Sequence, residues 1–230
     1  MQNPSSPQAV ILADGLFPTR PALLDALAAA PRVVCCDRAY LRWARFARSR
    51  ATQAQEVYAV GDFDALGIPA PDGRAQFFHY AGQEDNDLTK AVHFCFSRGW
   101  DHLHVLGATG LREDHTLGNI SLLGEYLRQR PGSRIAMLSD HGALRALGPG
   151  LHSLPSFPGQ QVSLFSLTPS KPVTAHGLQY PIQGLRLDNW WKGTLNNALA
   201  HTFTVEVDDG ALLILFQTHD TKDQELQGKA

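Results

Sequence analysis

The chain has 230 residues and is 43% hydrophobic, enough for one large domain or two small ones with a real core. Twenty basic against 22 acidic side chains leave a formal charge of −2, which excludes a general nucleic-acid or membrane-surface binder, because both need a basic excess. Three cysteines, Cys35, Cys36 and Cys95, with no C-x-x-C spacing, exclude a disulfide framework and a cysteine zinc site and point to a reduced, cytoplasmic protein.

Met1 to Pro7 lacks a basic stretch followed by an apolar one and reads as a short disordered lead-in. No apolar run approaches the roughly 18 residues of a membrane span. The first strand is predicted at Val10 to Leu12, followed by a helix with Thr19 as cap, Pro21 in its first turn, and Leu23, Leu24 and Leu27 on one face. A second strand, Val33 to Cys36, ends at Asp37. Arg42, Arg45 and Arg48 recur every three residues around Trp43 and Phe46, the pattern of a solvated helix face. A third strand, Val57 to Val60, runs into Gly61-Asp62-Phe63-Asp64. A helix from Asp87 places Leu88, Ala91, Val92 and Cys95 on one side and closes at Gly99. The strand Leu103 to Leu106 then leads into Gly107-Ala108-Thr109-Gly110-Leu111-Arg112-Glu113-Asp114-His115. A further helix, with Leu117, Ile120 and Leu127 inward, ends before Pro131 and precedes the strand Ile135 to Leu138.

This alternation of strands and helices predicts a mainly parallel sheet covered by helices on both faces. Glycines and prolines punctuate residues 140 to 160, which places a boundary there: a domain over 1–145, a second over 146–220, and a polar tail over 221–230. The second domain shows only strand-like runs, Val162 to Leu167, Val173-Thr174, Leu185 to Leu187, Thr202 to Val207 and Ala211 to Phe216. The last two are expected to form a hairpin through Asp208-Asp209-Gly210, within a small antiparallel sandwich.

Three acidic clusters sit at strand ends, where ligands bind in open α/β sheets. In extended backbone Asp62 and Asp64 would project to one side with Phe63 opposite, and two such carboxylates can share Mg²⁺ with substrate phosphates. Taken alone, G-D-F-D is a solvated turn. Taken alone, Asp87 caps a helix and Lys90 is a surface lysine. The clusters gain weight together, because carboxylates, Lys90, Arg112 and the N-terminus of the helix after Asp114-His115 converge on one crevice. The glycines at 107 and 110 match neither a P-loop nor a dinucleotide fingerprint.

In order and number these clusters resemble those of the thiamine pyrophosphokinase family. The matching residues are Ala13-Asp14-Gly15, Asp37, Gly61-Asp62-Phe63-Asp64-Ala65, Gln83 through Asp87 to Lys90, Gly110 to His115, Gly177-Leu178-Gln179-Tyr180, and Asn196-Asn197. The chain departs from the family pattern at Ala65 (Ser), Asn86 (Thr), Leu111 (which holds the first of the two glycines before Arg112 apart from it), Arg38-Ala39 (Gly) and Asn196 (Ser). The resemblance implies a Rossmann-like ATP-binding domain, a β-sandwich domain, and a homodimer in which both contribute to the thiamine pockets. It implies Mg²⁺ at Asp37, Asp62, Asp64 and Asp87. It implies catalytic roles for Asp62, Asp64, Asp87 and Lys90. ATP would be bound by Asp37, Lys90, Gly107, Thr109, Gly110, Arg112, Asp114 and His115, and thiamine by Gln83, Asp87, Tyr180, Asn196 and Asn197. The implied reaction is pyrophosphate transfer from ATP to thiamine; a pyrophosphokinase for another alcohol such as a hydroxymethylpterin, a metal-dependent phosphohydrolase, and a nucleotide- or thiamine-binding protein without turnover are the alternatives.

Overall fold

The computed structural model describes residues 6–50, 52, 56–63, 73–80, 82 and 84–219. Asp64, Ala65, Gln83 and the 221–230 tail lie outside these residues, as does most of the lead-in before Pro7. Two compact units divide the chain: one runs to Leu122 and resumes for Arg130–Asp140, and the other comprises Leu123–Gln129 and the chain from His141 onward.

Among the described residues the first unit holds six strands and four helices, the last helix continuing into the second unit. In chain order they are β1 (Ala9–Leu12), α1 (Pro21–Ala29), β2 (Arg32–Cys36), α2 (Ala39–Ser49), β3 (Glu56–Gly61), β4 (Gln76–His79), α3 (Asp87–Ser97), β5 (His102–Leu106), α4 (Glu113–Gln129) and β6 (Arg134–Ser139). The sheet order is β6-β5-β1-β2-β3-β4, with every pair parallel. The chain builds outward from β1 to β4 and then returns to place β5 on the other side of β1. The carboxyl ends of β1 and β5 therefore flank the switch point where such sheets bind ligands.

The strands are apolar on both faces because both are covered. Val10, Leu12, Val33, Cys35, Val57 and Ala59 point to one side, into a cluster with Leu23 and Leu27 of α1 and Tyr40 and Trp43 of α2. α3 packs over β1, β2 and β3 on the other, where Phe94 meets Tyr58 with ring centroids 5.1 Å apart. β4 escapes a sequence reading because its four residues are only half-buried or exposed and show no apolar alternation. In α4 the buried side chains are Leu123 and Tyr126; Leu117, expected inward, is 52% exposed. Among the described residues no helix is long and apolar enough to cross a membrane.

The second unit contains β7 (Gly142–Leu147), β8 (Gly150–Pro155), β9 (Gln161–Ser166), β10 (Pro172–His176), β11 (Ile182–Arg186), β12 (Asn196–Asn197), β13 (Thr202–Val207) and β14 (Leu213–Thr218). They form two antiparallel layers, β12-β9-β14-β7 and β11-β10-β13-β8. Val162, Leu164, Leu213 and Leu215 of one layer share a core with Val173, Phe203 and Val205 of the other. The expected hairpin between β13 and β14 does not form. Asp208-Asp209-Gly210 does turn the chain, with Ala211 N–H donating to Asp208 C=O, but the two strands then enter different sheets. β13 is buried on alternate residues and β14 along most of its length, and each closes one side of the shared core instead of pairing with the other.

Thr19 does not cap α1. The N-cap is Arg20, which has no capping side chain, and the missing acceptor comes from Asp140 at the end of β6. Its carboxylate accepts from Thr19 N–H at 3.0 Å, Thr19 Oγ1 at 2.6 Å and Arg20 N–H at 2.9 Å. A negative group here also complements the helix dipole. Asp140→Ala is expected to lower unfolding free energy by about 1–2 kcal/mol, the usual cost of losing a cap. Urea denaturation of the two proteins measures it, and an unchanged midpoint would show that water replaces the carboxylate without loss.

Candidate active site

Where β1, β2, β3 and β5 end, loops and the starts of α3 and α4 enclose a cleft of about 660 Å³. Asp14, Gly15, Arg38, Asp62, Asp87, Lys90, Gly107, Gly110, Arg112, His115 and Asn119 are among the residues on its walls. Its backbone rim is a close crossing of the loops after β1 and β5. Gly15 N–H donates to Gly107 C=O, and Leu16 N–H to Thr109 C=O at 2.9 Å. A Cβ on Gly15 would lie 2.8 Å from the Thr109 carbonyl oxygen, and one on Gly107 would lie 2.6 Å from that of Ala13. Only glycine admits this approach, and Gly107 also holds a φ of 68°.

Lys90 is the electrostatic centre. It is 6% exposed, and its Nζ donates to Asp62 Oδ2 and Asp87 Oδ1, each at 3.2 Å. Burial acts to lower its pKa, but the two hydrogen bonds and the two negative charges outweigh burial and leave it raised. The ammonium thus stays charged and offsets repulsion between carboxylates from β3 and α3. Asp87 is available for this because the capping role falls to Asn86, whose Oδ1 accepts from Thr89 N–H at 2.9 Å.

Asp37 sits beside this pair, only 9% exposed, in a left-handed conformation with φ 42°. Its Cβ lies 3.0 Å from where a Cβ on Gly61 would be, so Gly61 makes room for it. Burial pushes its carboxyl up, the negative charge of Asp87 adds to this, the Arg38 backbone N–H opposes it, and Asp62 and Asp14 add further repulsion. Its Oδ1 is buried with no hydrogen-bond partner. Among the described residues no group of three or more His, Cys, Asp or Glu side chains is placed to hold a metal ion. An all-oxygen set of carboxylates with one unsatisfied buried oxygen nevertheless suits a hard cation that completes its shell with water and phosphate oxygens.

The extended backbone expected through Gly61-Asp62-Phe63 does not form, and Asp64 lies outside the described residues. β3 ends at Gly61, and Phe63 turns left-handed with φ 56°. Its ring is buried against Phe77 and His79, so ring burial sets the loop. Arg112 and Asp114 form an exposed pair, Nε to Oδ1 at 3.1 Å and Nη2 to Oδ2 at 2.5 Å. The Arg112 guanidinium, helped by His115 N–H, holds the Asp114 carboxyl down at about 2. Asp114 is not on the cleft wall; it orients Arg112, which is. Cys36 does line the cleft, but burial and then the Asp87 charge push its thiol well up, so it is no nucleophile.

Two further groups were not legible. Asp14 pairs with Arg42 Nε at 3.3 Å and Arg38 Nε at 3.5 Å, and Arg42 also donates to Gly15 C=O. Arg42 is therefore a half-buried prop of the cleft rim, whereas Arg45 and Arg48 are exposed as expected. Asn119 lies one helical turn beyond His115, and that i,i+4 spacing was the available signal.

Tyr180, Asn196 and Asn197 belong to the second unit. Asn196 is 4% exposed; its Oδ1 accepts from Tyr180 N–H and Asn197 N–H, each at 2.9 Å, and its Nδ2 donates to Tyr180 C=O at 2.7 Å. The side chain clamps the 177–180 loop and leaves the Tyr180 ring 59% exposed. Asn197 Nδ2 donates to Gln179 Oε1 at 3.0 Å.

A family model described as thiamin pyrophosphokinase, catalytic domain, matches residues 23–137, and one described as thiamin pyrophosphokinase, substrate-binding domain, matches residues 149–215. A curated thiamine pyrophosphokinase of Bacillus subtilis (strain 168) is 24% identical over 173 residues, 70% of this chain and 78% of that one. Two solved structures share the fold: a thiamin pyrophosphokinase family protein from Enterococcus faecalis (21% identity, TM-score 0.73, 93% of this chain and 99% of that one) and yeast thiamin pyrophosphokinase (12% identity, TM-score 0.73, 99% and 90%).

Asp37→Asn tests the strain at the site. In the native protein the Asp37 carboxyl holds its proton more tightly than in the unfolded chain. Its stabilising contribution is therefore present below the ordinary value of 3.8 and lost as pH rises through the raised pKa. In metal-free buffer at pH 7.5 the variant is expected to melt higher than the parent by about 2–4 °C, with the gap closing as pH falls toward 3.8. A lower melting point at pH 7.5 would mean the ionised carboxylate is already compensated.

Proposed function

The chain belongs to the thiamin pyrophosphokinase family, and from that membership and the cleft at the switch point we propose that it transfers a pyrophosphoryl group from ATP to the primary hydroxyl of thiamine, releasing thiamine diphosphate and AMP. The observation that carries this reading is Lys90 buried between Asp62 and Asp87. Pyrophosphoryl transfer needs little covalent help from a protein; it needs the two substrates aligned and the charge on the moving group balanced.

In this reading Gly107, Gly110, Arg112 and the first turn of α4 receive the donor phosphates, where backbone N–H groups and a guanidinium suit an anion. Lys90 holds Asp62 and Asp87 in place. Asp87 accepts the proton of the thiamine hydroxyl as its oxygen attacks the β-phosphorus. Asp37, Asp62, Asp64 and Asp87 would hold Mg²⁺, which when bound offsets charge on the transferred group. Gln83, Asn197 and the exposed Tyr180 ring are the groups offered to thiamine, with Asn196 fixing the Tyr180 loop. We take the protein to act as a homodimer in the cytoplasm; Cys35, Cys36 and Cys95 are all free and buried, as a reducing compartment allows.

Purified protein with ATP, Mg²⁺ and thiamine is expected to form AMP and thiamine diphosphate in equal amounts, followed by chromatography, and to form neither in chelator. AMP formed only with another alcohol would remove thiamine as acceptor. Asp62→Asn is expected to cut kcat by about 100-fold or more with an unchanged circular dichroism spectrum, the scale of losing a positioned charge at a reacting phosphate. Full activity in that variant would remove Asp62 from the mechanism. Light scattering should give a mass near twice 25.2 kDa; a strict monomer overturns the dimer.

A further inference from the structure

Asn119 uses both ends of its amide on other elements of the cleft. Its Nδ2 donates to Ala108 C=O, in the loop after β5, at 2.8 Å. Its Oδ1 accepts from Asn86 Nδ2 at 3.2 Å. Asn86 in turn turns its Oδ1 to Thr89 N–H at 2.9 Å, capping α3. Each orientation forces the next: a carbonyl at Ala108 requires an N–H from Asn119, which leaves only oxygen to face Asn86, which must then present its own N–H and keep its oxygen for the helix. The chain of bonds runs from the glycine loop, through α4, to the helix start that carries Asp87 and Lys90. Both asparagines are on the cleft wall.

Two other ties of these parts run elsewhere. The glycine loop is bonded to the loop after β1 through Gly15 and Leu16, and Lys90 reaches across to Asp62 after β3. Neither spans from the loop after β5 to α3. We infer that Asn119 and Asn86 are a positioning pair that sets the distance between the loop facing the donor phosphates and the Lys90–Asp87 pole at which the acceptor hydroxyl reacts. The inference rests on the pyrophosphoryl-transfer reading and deepens it. At residue 86 the chain departs from the threonine of the family pattern. A threonine hydroxyl can cap α3, but it sits one bond closer to the backbone than the amide nitrogen that meets Asn119.

As a positioning pair it acts on the alignment of the two substrates, so its loss falls on kcat. Asn119→Ala removes the bridge at one end. Asn86→Ser removes it at the other while keeping an oxygen to cap α3. With saturating ATP and thiamine, each variant is expected to lose about tenfold or more in kcat while the KM for ATP stays within about threefold. The double variant should be no slower than the slower single, since one broken link already uncouples the two sides. Loss of fold alone would instead lower the melting point and multiply the two effects. Full kcat in a folded Asn119→Ala protein, or multiplying effects in the double variant, overturns the inference. If Asn119→Ala does not fold, Asn86→Ser and Asn119→Ser carry the same comparison.

Amide hydrogen exchange separates this inference from the proposed reaction. If the parent protein makes no AMP with thiamine, the reaction fails but the pair is still judged: Asn119→Ala should speed exchange at both 107–110 and 88–90. Unchanged exchange in either segment overturns it.

Discussion

An ammonium group with almost no solvent contact, held 3.2 Å from each of two carboxylates, is the constraint around which the cleft is arranged. A lysine this buried survives as a cation only if anions are delivered to it in fixed positions. Here β3 brings Asp62 and the first turn of α3 brings Asp87, so the parallel order of the sheet and the start of the helix are both needed to satisfy a single side chain. In return the lysine makes it tolerable to crowd acids at one edge of the sheet. Asp37 shows what happens without such a partner: a left-handed backbone, a buried oxygen with nothing to bond, and a carboxyl that resists ionisation. Sites of this kind are places where folding energy is given up in exchange for chemistry.

The same cleft depends on how closely backbone can approach backbone. The crossing of the loops after β1 and β5 leaves no space for a side chain on either Gly15 or Gly107. Arg42, held by Asp14, braces that crossing from α2. Close-packed backbone amides, buried lysine and orphaned carboxylate therefore lie along one edge built from four strands that are far apart in sequence.

What could be read from the chain follows a physical divide. Val33 to Cys36, Val57 to Val60 and Leu103 to Leu106 were legible because a strand buried on both faces must be apolar throughout. The acidic clusters were legible because they stand where those runs stop. β4 was not, since a half-buried strand of four residues leaves no such trace. Arg42 was read as solvated because its periodicity cannot show that Asp14, 28 positions earlier, faces it. The partition of β13 and β14 between two sheets was hidden as well: Asp208-Asp209-Gly210 specifies a turn, while the sheet each strand joins is decided by distant partners, β8 and β10 for one and β7 and β9 for the other. Asn86 departs from the family pattern in the sequence itself, but its bond to Asn119 depends on tertiary placement alone.

The cap that Asp140 supplies to α1 has a bearing on how the molecule comes into being. The helix is nine residues long and has no capping side chain of its own, which makes it marginal in isolation. Its acceptor is 120 residues further along the chain. During synthesis α1 emerges early, yet its first amides find their partner only after the last strand of the parallel sheet has been made and docked. Completion of the first helix and closure of the sheet are thus one event, and an N-terminal fragment that stops short of residue 140 carries an unfinished helix however many strands it contains.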